Sequence, residues 1–449
     1  MTGPARAALI ALAWGMVACL PIDRTPVEST PAFRAAVAEA ERIDGPAEGP
    51  IFAGAAREEI TPAVATPLAG YGNRLGRAAR GVHDRLYTRA LALRVGDRVV
   101  IVVAVDLLAM TDDITREVER LIRREVPLSP QGLILTATHT HSGFGAVARR
   151  VVEGFAAGEY DERVFRALTE RMARAAIAAY RGLAPAEIAW GETTAPEFIT
   201  NRMIPNGFVD PAVPFLAIRR LDRAPVAYLV NFSAHPTVLK ADNFLLSGDF
   251  PGAMARALEA DGATALYTAG AVADQTAVAP RAADRFTAVE AMGRELASRV
   301  RASVDALAAA AWTGRAPLGA WRLDLQLPDA QVKISPHRRL HTAVANLFFD
   351  RRTWMEIVVI GDRVLIGVPC DLSAHIGASW KAEASRIGRR AVILGFANDY
   401  VGYVIPSEYY EMAHYEATMS FNGPAMDRYF TAVVSRALAR LGPFTRASE

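Results

Sequence analysis

The stretch that decides the predicted fold is LILTATHTHSGFG, from Leu133 to Gly145. It begins with a β-prone apolar run and changes to small and polar residues, where it presents His139 and His141. Alternate residues of an extended chain point the same way, so both imidazoles are expected to face one side of a strand end. That arrangement suits a metal site or a general base, although an isolated His-x-His pair also occurs in ordinary surface loops.

The sequence before this stretch completes a β-α-β unit. Residues 98–107 (RVVIVVAVDL) form a continuous apolar run, which is typical of a strand covered on both faces. Between residues 114 and 122 apolar side chains recur at helical spacing, and a second strand is predicted over 132–137. In open α/β sheets, sites lie beyond the carboxyl ends of the strands, which is where both histidines fall.

The same pattern, a buried strand followed by a polar side chain, recurs later in the chain. His235 follows the predicted strand 225–233, Asp371 follows a hairpin over 355–368, and a tyrosine-rich segment, 398–419, follows a strand at 392–396. Two histidines and a carboxylate with an open position are the usual make-up of a catalytic zinc site. Each residue alone has a simpler interpretation, as a hydrogen-bonded loop histidine, a helix N-cap or a core aromatic.

Composition and length place the chain among globular proteins. Of its 449 residues 51% are hydrophobic and 22% charged, and the net charge is +2, which excludes the disordered class. No basic stripe with interleaved aromatics occurs, so no nucleic-acid partner is predicted. With no internal repeat or linker after residue 50, we expect one large α/β domain over 51–449. It would have a mixed β-sheet core flanked by helices and an active site at the C-terminal ends of the strands.

The N-terminal region has the features of an exported lipoprotein. Residues 1–19 contain one positive charge at Arg6, an apolar run and a final Met-Val-Ala-Cys, so Cys19 is predicted to carry a lipid anchor. The alternative is an uncleaved anchor helix or a misassigned start. The Pro-, Ala- and Glu-rich segment 20–50 is predicted to be a tether, and the protein to face the periplasm or outer membrane of a bacterial cell envelope. Cys370 then has no disulfide partner.

One further segment attracts attention because of its length and irregularity. Residues 61–81 are rich in Pro, Gly and Arg and contain GYGNR at 70–74. Long ordered loops of this kind usually have a function.

These strand-end motifs resemble those of the neutral (alkaline, non-lysosomal) ceramidase family, and they run through most of the predicted domain in the family's order. The resemblance implies a zinc-dependent amidase, with one zinc per chain, that cleaves the N-acyl bond of ceramide into fatty acid and sphingoid base. The matching stretches are ATHTHSGFG (137–145), TNR (200–202), NFSAHPT (231–237), LSGD (246–249), VPCDLS (368–373) and ANDYVGYVIPSEYYEMAHYEA (397–417).

The resemblance also implies roles for individual residues. The implied zinc ligands are His139, His235, Asp371 and Tyr403, and the implied residues of the reacting centre are His141, Arg202, Tyr415 and Thr276. Two positions depart from the family. Asp371 stands where the family has a glutamate, and ADQTAV at 273–278 replaces GDVSPN, so that Thr276 takes the place of a serine. We expect no counterpart of the family's C-terminal β-sandwich within these 449 residues.

In the mechanism that these roles imply, zinc held by the four ligands would activate a water for attack on the amide carbonyl. Tyr415 stabilises the oxyanion, His141 transfers a proton to the leaving amine, and Arg202 orients a polar head group.

Other functions remain open at the level of sequence. An amidohydrolase barrel would need eight strand–helix repeats that are not evident here, and Ser142 and Gly143 exclude the HxHxDH pattern of metallo-β-lactamases. The remaining alternatives are a zinc hydrolase acting on another amide or ester, and a lipid-anchored binding protein that has lost catalysis. Metal content separates the enzyme from the binding protein.

Overall fold

The computed structural model describes residues 19–444, and its strands belong mainly to two central sheets. The strands in chain order are β1 (Cys19–Pro21), β2 (Ala47–Pro50), β3 (Phe52–Glu59), β4 (Gly81–Val82), β5 (Tyr87–Val95), β6 (Arg98–Val105), β7 (Leu133–Ala137), β8 (Ala184–Thr194), β9 (Ile199–Asn201), β10 (Ala212–Arg220), β11 (Pro225–Phe232), β12 (Leu245–Leu246), β13 (Thr264–Ala269), β14 (Gln275–Ala277), β15 (Arg315–Gln326), β16 (Lys333–Ser335), β17 (Arg338–Leu340), β18 (Arg352–Ile360), β19 (Arg363–Gly367), β20 (Asp371–Leu372), β21 (Arg390–Leu394) and β22 (Tyr403–Val404).

The α-helices of the described chain vary from one turn to more than five. In chain order they are α1 (Pro31–Glu39), α2 (Asp112–Ile122), α3 (Val151–Ala157), α4 (Glu162–Arg181), α5 (Asp249–Leu258), α6 (Arg285–Asp305), α7 (Thr342–Ala345), α8 (Ala374–Arg386), α9 (Tyr415–Thr418) and α10 (Met426–Leu441). None of these helices has the length and apolar character needed to cross a membrane.

The two central sheets are both mixed. The larger has eight strands in the order β13-β11-β10-β8-β3-β5-β6-β7, and its parallel pairs, β11/β13 and β6/β7, lie at opposite ends. The smaller has the order β2-β15-β18-β19-β21, with β19 and β21 parallel. The chain leaves a parallel pair just before His139, His235 and Asp371. The larger sheet curls so that β13, at one end, contacts β6 and β7 at the other, and β11 and β13 also contact β21 of the smaller sheet. These contacts bring the three residues together.

Helices cover the outer faces of the two sheets and complete a four-layer arrangement. Apolar side chains from both sheets, such as Leu91 of β5 and Val358 of β18, form one shared cluster between them. Helices α2, α4, α5 and α6 contribute to a second cluster with the larger sheet, and α1, α8 and α10 to a third with the smaller. The predicted α/β class, mixed sheet and strand-end site are therefore confirmed, and the core contains two sheets rather than one.

The prediction that residues 20–50 form a tether is wrong, because the segment folds against the domain. β1 pairs with β17, and β2 is the edge strand of the smaller sheet. Val27, Ala36 and Ile43 are buried, and the Trp321 indole donates a 2.6 Å hydrogen bond to Asp44. The Pro-, Ala- and Gly-rich composition resembles that of a linker, yet Ala32, Ala36 and Ala40 are buried against the domain.

The export signal falls almost wholly outside the described residues, which begin at Cys19. Within the described chain, no disulfide joins Cys19 and Cys370.

Candidate metal centre and active site

Three histidines converge at the edge where the parallel strand pairs end. The Nε2 atom of His235 lies 2.7 Å from that of His139 and 3.0 Å from that of His141, and the latter two are 3.3 Å apart. His139 and His235 are buried, and His141 is partly buried. Burial lowers the pKa of His139 to about 3, and those of His141 and His235 well below their usual value, so all three rings are neutral at pH 7.

Backbone and packing fix the ring of His139. It stands two residues after β7 with φ of +63°, a left-handed conformation that few non-glycine residues adopt and that concentrates at functional sites. Its Nδ1 lies 2.6 Å from the Leu108 carbonyl oxygen, and its ring stacks on Phe396 with centroids 3.8 Å apart. The Nδ1 of His235 similarly faces the Val272 carbonyl at 3.4 Å. Such contacts place the ring proton on Nδ1 and leave Nε2 with a lone pair that can bind a metal.

The irregular loop 61–81 wraps around the third histidine. A Cβ on Gly70 (φ +104°) would stand 2.6 Å from the His141 Nδ1, so only glycine lets the backbone come this close. Tyr71 packs beside the His141 ring at 4.8 Å between centroids. The buried Arg74 donates to the His141 carbonyl at 2.6 Å and to the Ala69 carbonyl at 2.9 Å. The sequence singled out this loop by its irregularity, and its position explains that composition.

Asp371 meets the histidines through a short parallel ladder. β20 and β22 pair Asp371 with Tyr403, and the Asp371 Oδ2 lies 4.0 Å from the His139 Nε2. Asp371 is fully buried, and neither of its carboxylate oxygens has a hydrogen-bond partner among the described residues. Burial raises its pKa to about 7, against the opposing charge of Arg202. A buried carboxylate without partners is costly, and a cation would remove that cost.

A different residue caps the helix that follows Asp371. Ser373 is the N-cap of α8, because its hydroxyl accepts from the His375 backbone N–H. The Asp274 carboxylate in turn accepts from the Ser373 hydroxyl at 2.7 Å and from the Ala374 N–H at 2.8 Å. The alternative interpretation of Asp371 as a helix cap is therefore wrong. Asp274, from the segment that departs from the family motif, anchors this loop.

Arg202 orients the tyrosine beside Asp371. Its Nη2 donates to the Tyr403 hydroxyl at 3.2 Å, its Nε donates to the Ala273 carbonyl at 2.8 Å, and a Glu416 oxygen lies 2.9 Å from Nε. Tyr415, on α9, presents its ring edge to Tyr403 at 5.7 Å and is 59% exposed. Arg202 thus lies on the tyrosine side of the site, and its guanidinium donates to oxygen atoms of the protein.

The ring nitrogens of His139 and His235 fit a metal ion better than they fit each other. Nitrogen ligands at 2.0–2.1 Å from a tetrahedral zinc lie about 3.3 Å apart, near the separations observed among the histidines. The Nε2 lone pairs of His139 and His235, 2.7 Å apart, repel unless a cation lies beside them. The unpartnered Asp371 carboxylate and the Tyr403 hydroxyl supply oxygen atoms on the remaining side. The donor set is therefore a mixed nitrogen and oxygen site of the kind zinc prefers.

A largely apolar cavity of about 120 Å³ opens beside the histidines. Its wall comes from segments 107–114 and 144–157, with His139, His141, Tyr400, Tyr403 and Tyr415 at the catalytic end. Thr276 is not part of the wall formed by the described residues, because it lies on β14 opposite Thr200 of β9. The structure thus brings together seven of the eight predicted site residues and leaves Thr276 outside.

Comparisons with known proteins show which family the chain belongs to. A sequence profile for the N-terminal part of neutral/alkaline non-lysosomal ceramidases matches residues 52–280, just over half of the chain. The chain belongs to this family. It is also 28% identical over 224 residues to the neutral ceramidase of Mycobacterium tuberculosis (strain ATCC 25618 / H37Rv), in an alignment that covers 45% of this chain and 34% of the relative. The chain thus aligns with about a third of that curated relative.

Solved ceramidase structures share the fold. The neutral ceramidase of Pseudomonas aeruginosa superposes with a TM-score of 0.76 at 18% identity, covering 90% of this chain and 76% of that one. A ceramidase complexed with C2 gives 0.74 at 18% identity, covering 89% and 77%. The four-layer architecture is therefore the fold of the ceramidase structures.

Proposed function

We propose that this ceramidase-family chain is a zinc-dependent amidase that hydrolyses the N-acyl amide bond of ceramide or a related lipid to a fatty acid and an amine. The observation that carries the proposal is the convergence of three histidine Nε2 atoms within 3.3 Å, next to the unpartnered Asp371 carboxylate. An apolar cavity beside this cluster suits an acyl chain.

His139, His235, Asp371 and Tyr403 would hold the metal. Zinc bound there would lower the pKa of a coordinated water from about 16 to about 7 and so supply a hydroxide at neutral pH. His139 and His235 are suited to this role because a backbone carbonyl faces the Nδ1 of each ring. Arg202 donates a hydrogen bond to the Tyr403 hydroxyl and so helps to fix its position.

His141 is assigned to proton transfer rather than to ligation. Its Nδ1 is buried and makes no hydrogen bond of normal geometry within residues 19–444, unlike the Nδ1 atoms of His139 and His235. Because the ring is neutral, it would first accept a proton from the attacking water and then pass that proton to the leaving amine. Tyr415, at the mouth of the cavity, can donate its hydroxyl proton to the oxyanion.

A second candidate substrate class follows from the size of the cavity. Its volume of about 120 Å³ is below the range of about 300–1,000 Å³ for sites that enclose drug-sized ligands. This favours a zinc hydrolase that acts on a smaller N-acyl amide or ester than a long-chain ceramide. A series of N-acyl sphingosines with shortened acyl chains separates the two, since the smaller site predicts rising kcat/KM as the chain shortens.

The test combines metal analysis with hydrolysis of a short-chain ceramide by the purified protein. We expect stoichiometric zinc, loss of activity with a chelator and recovery on adding zinc back. His235→Ala should lose the metal, and His141→Ala should keep the metal but lose hydrolysis. The control His337→Ala, at an exposed position, should keep both the metal and hydrolysis. Protein that holds no metal above background and hydrolyses no amide at any zinc concentration would contradict the proposal.

We also propose the location that the N-terminal sequence predicts, a lipid anchor on Cys19 at the bacterial cell envelope. In support of this, the thiol of Cys19 is free and only partly buried.

A further inference from the structure

The cavity wall contains one acidic side chain, Glu153 of α3. The remaining residues of the wall are apolar, apart from Thr111 and the histidines and tyrosines of the catalytic end. A carboxyl group in such a wall would weaken the binding of a plain acyl chain, because its charge would have to be desolvated. Its presence therefore requires an explanation that acyl-chain binding alone does not give.

The carboxyl group of Glu153 is poorly satisfied by the protein. Its Oε2 is buried and accepts no hydrogen bond from residues 19–444. Its Oε1 is 3.6 Å from the Arg150 Nη1, beyond a normal hydrogen bond. Arg150 is instead bound to Asp112 at 2.8 Å and to Asp350. One carboxylate oxygen thus remains available.

The surroundings of Glu153 also carry an excess of negative charge. Asp113 and Asp399 each have one buried oxygen without a hydrogen bond in the described chain, and the nearest cation to that oxygen of Asp113 is Arg149 at 3.8 Å. Burial raises the pKa of Glu153 to about 7, with Arg150 opposing and both aspartates adding to the rise. A cationic ligand beside Glu153 would relieve this repulsion.

We propose that Glu153 is a specificity residue that binds a primary ammonium group on the part of the substrate that enters the cavity. An ammonium is compact and has three N–H donors, which suits a carboxylate in a small cavity. Because Glu153 lines the same small cavity, of about 120 Å³, as His139 and His141, the ammonium would lie within a few bonds of the scissile amide. The substrate class is therefore an N-acyl amide bearing an amino group, an assignment that rests on the proposed amidase function.

The test compares matched substrates and does not depend on turnover alone. All substrates are N-acyl amides with the same head group and the same acyl-chain length. They differ in one substituent, which is an ammonium, a hydroxyl or a methyl group, and in the carbon that bears it, counted from the amide. For the unmodified protein we expect kcat/KM for the best ammonium substrate to exceed that of its methyl counterpart about 10-fold to 100-fold, as for a charge-assisted hydrogen bond. Glu153→Gln should abolish this preference while hydrolysing the methyl substrates at least as well. The exposed Glu159→Gln, six residues away, should keep the preference.

Calorimetry gives a second readout that needs no catalysis. It compares the binding of amino-substituted fatty acids with that of the corresponding unsubstituted fatty acids. Tighter binding of the amino compound by the parent than by Glu153→Gln supports the inference even if no amide is hydrolysed, in which case only the amidase proposal fails. Hydrolysis of the methyl substrate with no ammonium preference at any carbon, and no difference in binding, overturns the inference alone. Equal preference for the hydroxyl analogue would overturn the cationic assignment.

Discussion

Asp371 is one methylene shorter than the family's glutamate, yet its carboxylate already lies beside the histidines. The side chain is fully buried, and its Oδ2 already lies 4.0 Å from the His139 Nε2. Asp371→Glu should therefore overpack the site, at a cost of about 1–3 kcal/mol, and weaken zinc binding roughly ten-fold or more. Competition with a chelator measures this. Asp371→Asn, which keeps the shape and loses the charge, should also bind zinc more weakly.

The opposite result for Asp371 is equally informative. If Asp371→Glu binds zinc as tightly as the parent or more tightly, Asp371 is not a ligand.

Gly70 permits the contact between the loop 61–81 and His141. Gly70→Ala would bring a methyl group to 2.6 Å from the His141 Nδ1 and force a side chain into φ of +104°. We expect a large fall in kcat/KM together with about 1–3 kcal/mol of destabilisation. Gly262→Ala is the matched control, because Gly262 has φ of +90° with no atom within 4 Å of the added Cβ. It should lose similar stability and keep its activity; equal activity in both variants would remove Gly70 from the site.

At the residue scale the sequence predicts groups that follow strands and misses groups that approach from elsewhere. His139, His235 and Asp371 stand just beyond buried strands, so their convergence could be expected. Phe396 stacks on His139 from more than 250 positions away, and Asp274 holds the Ser373 hydroxyl across 99 residues. No periodicity or spacing marks such contacts.

The α8 N-terminus is the element that positions Asp371. Asp274→Ala removes three hydrogen bonds, which the carboxylate accepts from the Ser373 hydroxyl, the Ala374 N–H and the Gln275 side-chain amide, and should cost about 1–3 kcal/mol of stability. Because these bonds hold the loop of a candidate ligand, zinc affinity should also fall about 10-fold to 100-fold. Asp284→Ala removes the exposed N-cap of α6 and should cost about 1 kcal/mol without changing zinc affinity. Equal zinc affinity in both variants would contradict the positioning role.

Strands with weak sequence signals were the elements that escaped prediction. β3 reads FAGAAREE and lacks the β-branched residues that favour strands, yet it lies in the middle of the larger sheet. Its Ala53 and Gly54 suit close packing, since a Cβ on Gly54 would stand 2.2 Å from the Ala179 carbonyl oxygen of α4. Tertiary packing rather than intrinsic propensity places this strand. By contrast, the apolar runs of β6 and β11 predicted their positions well.

The N-terminal segment gives a stability prediction at the same scale. Ile43 is 1% exposed and packs in the core of the smaller sheet. Ile43→Ala should lower the free energy of unfolding by about 2–5 kcal/mol, as for other buried side chains. Leu75→Ala, at an 82% exposed position, should change it by less than about 0.5 kcal/mol. Urea unfolding measures both free energies. If Ile43→Ala does not lower the free energy of unfolding, residues 20–50 are a free tether after all.

For the whole molecule, the proposed lipid anchor can be tested by replacing the sulfur atom of Cys19 with oxygen. Cys19→Ser should abolish labelling with radioactive palmitate and move the protein from the membrane fraction to the soluble fraction. Unchanged fractionation of the unlabelled variant would favour an uncleaved helix or peripheral attachment. The unmodified protein, expressed and fractionated in parallel, is the control.

The pairing of β1 with β17 sets how far an anchored molecule could range. A free chain from residue 20 to residue 50 would let the globule wander about 30 Å from its attachment point. With Cys19 opposite Leu340 in a strand, that slack is absent. A molecule lipidated there would be confined to the leaflet that holds its acyl chains and would process amides of its own membrane, in cis. Lipids in a facing bilayer would have to be brought to it.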